Sequence, residues 1–128
     1  MKILLDTHAF LWAISENFKF SKNAKQAYLD SENELFFSAV SYWEIGIKIS
    51  IGKLELASDW KKIIDKEMVN NGIKWLDLKK EHVQGIINLE FHHRDPFDRM
   101  LIAQAQYEQL VIMTVDRHIG KYDITTIW

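Results

Sequence analysis

Apolar positions along the chain follow two rhythms. Short apolar runs at residues 2–5, 35–39, 73–78 and 110–115 read as buried strands, with a short fifth at 124–127. Between them, apolar positions recur at helical spacing. The pattern predicts helices over 7–14, 21–32, 41–51, 59–70, 79–89 and 96–109. Ser21 is placed to cap the second of these, Gly52 to stop the third and Asn71-Gly72 to end the fourth. The helix from Pro96 carries Met100, Leu101, Ala103, Ala105 and Leu110 as its apolar positions. Strands that alternate with helices form parallel pairs, because a parallel connection needs a crossover, and such sheets are covered on both faces. The expected fold is therefore α/β, a parallel sheet flanked by helices.

One proline, five glycines and no internal repeat leave no linker in 128 residues, so a single domain over 1–128 is expected. The 48% hydrophobic and 27% charged composition excludes disorder. Sixteen basic against eighteen acidic residues give a net charge of -2, which excludes binding of nucleic acid by bulk charge but not by a local groove. Cysteine is absent, so disulfides, thiol nucleophiles and Cys-ligated zinc are excluded. Asp6 cuts the first apolar run far short of the roughly 7 to 15 residues of a signal peptide. No run reaches the ~18 residues of a membrane span. A cytoplasmic protein without a membrane partner is expected.

In parallel sheets, ligands bind beyond the carboxyl ends of the strands. The residues at those ends are acidic. Asp6 follows the first strand and Asp116 the fourth, Glu44 lies in the first turn of the helix after the second, and Asp98 opens the long helix. Carboxylates gathered there repel one another, and a divalent cation relieves the repulsion. Oxygen donors select a hard ion, Mg²⁺ or Mn²⁺. Each acid also has a local reading. Ser41-Tyr42-Trp43-Glu44 matches a capping box, and Asp95-Pro96-Phe97-Asp98 places a cap, a proline and a first-turn acid in order.

Three segments resemble the PIN-domain ribonucleases, and within them the toxin subunits of VapBC-type toxin–antitoxin pairs. They are residues 4–12 (LLDTHAFLW), 41–48 (SYWEIGIK) and 94–105 (RDPFDRMLIAQA), followed by Thr114-Val115-Asp116. The resemblance implies a three-layer fold with a central five-stranded parallel sheet and a metal-dependent endoribonuclease site. It puts the family's four acids on Asp6, Glu44, Asp98 and Asp116, and its Ser or Thr near the last acid on Thr114. In that register Asp95 is the helix cap. It also implies RNA as substrate, a cognate small antitoxin and a homodimer. A housekeeping PIN nuclease without an antitoxin, or an inert binding module of the same fold, are the alternatives.

Hydrolysis of an RNA phosphodiester would use the cation to orient and acidify a water. Asp6, Asp98 and Asp116 are the expected ligands, Glu44 a ligand or proton acceptor, and Thr114 a hydroxyl that holds a carboxylate or water. Arg94, Arg99, Arg117, Lys48 and His118 stand near the acids in sequence and are candidates for phosphate contact. Lys48, four residues after Glu44, could instead pair with it. Trp12 and Trp43 could stack on bases or pack in the core. His8, His92 and His93 are weighed against zinc, which adjacent histidines rarely share. An aspartyl phosphatase would need a second acid where His8 stands. A receiver domain would need an acidic pair at Asp6-Thr7 and a lysine where Arg117 stands.

Overall fold

The computed structural model describes residues 1–128. Five parallel strands, β1 (Lys2–Leu5), β2 (Glu34–Ser38), β3 (Lys74–Leu76), β4 (Val111–Met113) and β5 (Thr126–Ile127), form one sheet in the order β3-β2-β1-β4-β5. Six α-helices connect them: α1 (Thr7–Ser15), α2 (Lys22–Leu29), α3 (Ala39–Ser50), α4 (Trp60–Asn70), α5 (Lys80–Ile86) and α6 (Pro96–Glu108). The expected five-stranded parallel architecture is present. None of the helices is long and apolar enough to cross a membrane.

Strand alternation builds the two outer layers. Ile3, Leu5 and Phe37 face one side and pack with Phe10 of α1, Ala24 and Tyr28 of α2 and Ile64 of α4. Leu4 and Ile112 face the other and pack with Leu101, Ile102 and Ala105 of α6. Phe10 stacks on Phe37 at a centroid distance of 4.0 Å, which ties the first helix to the sheet centre. Both faces are buried, so the strands read as continuous apolar runs rather than alternating ones.

The register aligns the strand ends. Leu5 pairs with Phe37 on one side and Met113 on the other, so Asp6, Ser38 and Thr114 sit at one level along the sheet edge. Here the structure corrects the sequence reading of α3. The helix starts at Ala39, and Ser38, not Ser41, is its cap, its hydroxyl accepting from the Val40 N–H at 3.0 Å. Glu44 thus lies in the second turn rather than the first. The Ser-x-x-Glu spacing mimicked a capping box inside a helix already under way.

Ser38 also donates to Gln104 Oε1 at 2.6 Å, while the fully buried Ser41 hydroxyl has no partner. We expect Ser38→Ala to lower stability by about 2 to 3 kcal/mol, the sum of a lost cap and a stranded buried acceptor. Ser41→Ala should be neutral or stabilising, within about 1 kcal/mol, because its hydroxyl is buried without compensation. Urea unfolding of the two variants checks the contrast. Equal losses would contradict it.

Candidate active site

Two contacts set the geometry of the site. Ser38 reaches Gln104, and the Trp43 ring lies 5.2 Å from that of Phe97. Position numbers rise along α3 as they fall along α6, so the helices run antiparallel. In that alignment Glu44 faces Asp98. Asp6 and Thr114 follow directly on β1 and β4 at the same edge of the sheet.

Asp6, Asp95 and Asp116 are held by local backbone, and Glu44 by side chains. Asp6 caps α1, its Oδ1 accepting from the Ala9 N–H at 2.7 Å. Asp95 caps α6 by accepting from the Asp98 N–H at 2.9 Å, with Pro96 in the first turn. Asp116 accepts from the His118 N–H at 2.8 Å, while its own N–H donates to the Thr114 hydroxyl at 3.0 Å. Glu44 is buried and clamped on both oxygens: Thr7 donates to Oε1 at 2.6 Å, and Lys48 pairs with Oε2 at 2.5 Å.

The electrostatics follow from burial. Loss of water pushes the Asp98 carboxyl up to about 8, and the charges of Asp95, Asp6, Glu44 and Asp116 push in the same direction. Burial also raises Asp6, against hydrogen bonds from Thr114 and Ala9 and the charge of His8, with Asp116 adding to the rise. His93 Nε2 lies 3.2 Å from Asp98 Oδ2. Burial lowers the His93 pKa, with His118 and Arg99 acting in the same sense and Asp116 and Asp95 opposing. A raised acid beside a lowered base makes this contact a hydrogen bond between neutral groups near neutral pH, not an ion pair.

The four acids are thus close enough to perturb one another, yet no three His, Asp or Glu side chains share a ready coordination sphere. The donor set is all oxygen, and two of its members, the buried Asp6 and the half-buried Asp98, resist ionising. Such a set fits a hard divalent cation, whose charge would offset the repulsion.

The basic candidates separate. Arg94, Arg117 and His118 are exposed. Lys48 is taken up by Glu44. Arg99 is not available to an RNA phosphate: only 4% of it is exposed. Its guanidinium donates to Glu90 O at 2.7 Å and Tyr122 Oη at 2.9 Å, and lies 4.0 Å from the centre of the Phe91 ring. Trp12 packs edge-on to Trp128 at 5.5 Å, whereas Trp43 is 60% exposed beside the site. His8 is exposed, and His92 reaches Glu90 at 3.3 Å. Sequence reasoning gave Thr7 and Tyr122 no role and read His93 only against zinc. The one available signal was their adjacency, Thr7 to Asp6 and His93 to the Arg-Asp-Pro-Phe-Asp segment.

The PIN domain profile matches residues 3–124. This chain belongs to the PIN domain family. The PIN domain is similar to a chain of VapBC2 from Rickettsia felis bound to a promoter DNA fragment, with a TM-score of 0.75 and 12% identity over 98% of this chain and 97% of that one. It is also similar to a chain of DNA-bound VapBC from Salmonella typhimurium (TM-score 0.71, 16% identity, 98% and 96% covered). A third is VapBC-5 from Mycobacterium tuberculosis, of the VapBC family of toxin–antitoxin systems (0.60, 13%, 98% and 94%). Comparison of the sequence with curated proteins finds no significant match. At these identities the likeness to VapBC chains is one of fold.

The raised Asp98 carboxyl sets a pH dependence. Its ordinary value is 3.8 and its folded value about 8. Between those values the folded state holds a proton that the unfolded state has lost, so stability falls as pH rises and levels off above about 8. In EDTA, the urea midpoint of this PIN domain should fall from pH 5 to pH 8, and Asp98→Asn should flatten that slope. Parallel slopes for both proteins would contradict the assignment.

Proposed function

We propose that this PIN domain is an endoribonuclease dependent on Mg²⁺ or Mn²⁺, the toxin of a VapBC-type pair that acts in the cytoplasm. One observation carries the reading: carboxylates from both ends of the chain gather at the carboxyl edge of the sheet, Asp6 and Glu44 buried and Asp98 and Asp116 half-buried, so that Asp98 feels the other three at once. A shared cation site explains why a fold would hold that repulsion.

In this reading Asp6, Asp98 and Asp116 hold the cation, which when bound supplies a Lewis acid that activates water and neutralises phosphoryl charge. Glu44, with Thr7 and Lys48 on its two oxygens, fixes the α3 wall of the site and adds a fourth acid. Lys48 sets a positive charge against Glu44 Oε2 on the side away from Thr7. Thr114 serves twice, holding the turn that presents Asp116 and favouring the ionised form of Asp6. Arg94 and Arg117, exposed beside Asp95 and Asp116 in the chain, are the side chains left to meet RNA phosphates.

A cleft of about 610 Å³ runs beside Glu44, with Thr7, Trp12, Lys48 and Leu54 in its wall. A peptide in that cleft would touch both residues that clamp Glu44. It is a fitting seat for the tail of a small antitoxin, and the same reading includes a toxin homodimer.

Incubation of the purified protein with structured RNAs, in Mg²⁺, Mn²⁺ or EDTA, tests the activity. Cleavage should need metal and fall by at least about 10²-fold in Asp6→Asn and Asp98→Asn, the usual scale for removing a charge that stabilises the transition state. Asp95→Asn should stay near wild type, because Asn caps helices as well as Asp. Undiminished cleavage in EDTA, or by both of the first two variants, would remove the metal-site reading.

The partner is tested by co-expression with the small protein encoded next to the gene, followed by pull-down. A stable complex that abolishes cleavage, and growth arrest when the toxin is expressed alone, are the expected outcomes. Cleavage without a partner or arrest would point to a housekeeping nuclease.

A further inference from the structure

We propose that His93 is a positioning residue for Asp98, held by Tyr122 and Arg99 so that one carboxylate oxygen is fixed and the other is left for a divalent cation. The inference rests on the reading of Asp98 as a cation ligand.

The argument is one of donors and acceptors. His93 lies between Asp98 Oδ2, 3.2 Å from its Nε2, and Tyr122 Oη, 2.9 Å from its Nδ1. An ionised carboxylate can only accept, so with a cation bound Nε2 must carry the proton and Nδ1 must be the acceptor. The Tyr122 hydroxyl is placed to supply Nδ1. Its lone pairs are met by Arg99 Nη1 at 2.9 Å and by the His93 N–H at 3.3 Å, and an arginine cannot accept in return. The phenolic proton therefore points at one of two acceptors, Nδ1 at 2.9 Å or the His93 carbonyl at 3.3 Å, and the shorter contact is to the ring. The resulting chain runs from Arg99 through Tyr122 and His93 to Asp98, each group donating to the next.

Its far end is anchored in backbone. Arg99 is buried and also donates to the carbonyls of Glu90 and Leu89. The His93 ring is held from a second side, stacked on His118 at 5.7 Å with only 10° between the planes. Asp98 Oδ2 is thereby fixed, while Oδ1 makes no hydrogen bond within the chain. A histidine that orients a metal-holding carboxylate is the mirror of the familiar carboxylate that orients a metal-holding histidine, and such partners change metal affinity by about 10- to 100-fold.

Two readouts test the inference without RNA cleavage. The first is the His93 tautomer in the Mg²⁺-saturated wild-type protein, read by ¹⁵N NMR of the imidazoles. The Nε2–H form is expected, and a dominant Nδ1–H form would overturn the chain of donors. The second is Mn²⁺ affinity by titration calorimetry, with folding checked by circular dichroism. His93→Ala should weaken Mn²⁺ binding by about 10- to 100-fold, Tyr122→Phe by less, and His93→Gln should recover part of the loss because its amide can donate from a similar place. If wild type binds Mn²⁺, Asp98→Asn does not, and both His93→Ala and Tyr122→Phe bind as wild type does, His93 does not position Asp98 although the metal site stands. If wild type binds no Mn²⁺, the metal site and this inference fall together.

Discussion

Bringing like charges together out of water is the constraint on which the site depends. Asp98 is mostly buried, and its neighbours are Asp95, Asp6, Glu44 and Asp116. Nothing apolar compensates for that. The protein answers with individual supports: helix caps for Asp6 and Asp95, a turn for Asp116, Thr7 and Lys48 for Glu44, and His93 for Asp98. Every one of these supports is a hydrogen bond to a carboxylate, and together they let the fold tolerate a charge arrangement that an uncommitted core would avoid.

The supports are in turn tied to one another through α3 and α6. The antiparallel packing of these helices places Glu44 opposite Asp98, and the buried Ser38–Gln104 bond sets their relative height. Gln104 then extends the connection, donating to the Asp77 carbonyl at 3.2 Å and approaching His82 Nδ1 at 3.3 Å, with His82 within 3.4 Å of Glu108. A polar thread therefore crosses the otherwise apolar second layer. Such a thread favours one arrangement of α6 over others of similar apolar burial, because any slip would strand buried donors and acceptors.

Much of this was legible in the sequence, and the reasons differ from place to place. The strands stood out because sheets covered on both faces leave unbroken apolar runs, as at Ile3-Leu4-Leu5 and Val111-Ile112-Met113. Asp95 was readable as a cap because Pro96 fixes the chain at the next position. The cap of α3 was misplaced by three residues because Ser38 and Ser41 are both competent caps, and only the tertiary bond to Gln104 distinguishes them. Arg99 looked like a surface cation because charge next to an acid suggests a phosphate contact. Its burial depends on Phe91, Tyr122 and two carbonyls, which no local pattern brings together. His93 went unread for the same reason: its partners lie 5 and 29 residues away.

The sheet order has a consequence in time as well as in space. Asp6 emerges before the other acids of the site, but β1 pairs with β4, whose last residue is Met113, and Thr114 and Asp116 follow it. A chain still being translated holds only part of the acidic edge, and the position beside β1 opposite β2 stays empty until β4 has been made. The complete site thus comes into being in one late step, when β4 inserts beside β1. Any fragment ending before that step carries the carboxylates of Asp6, Glu44 and Asp98 without the strand that assembles them.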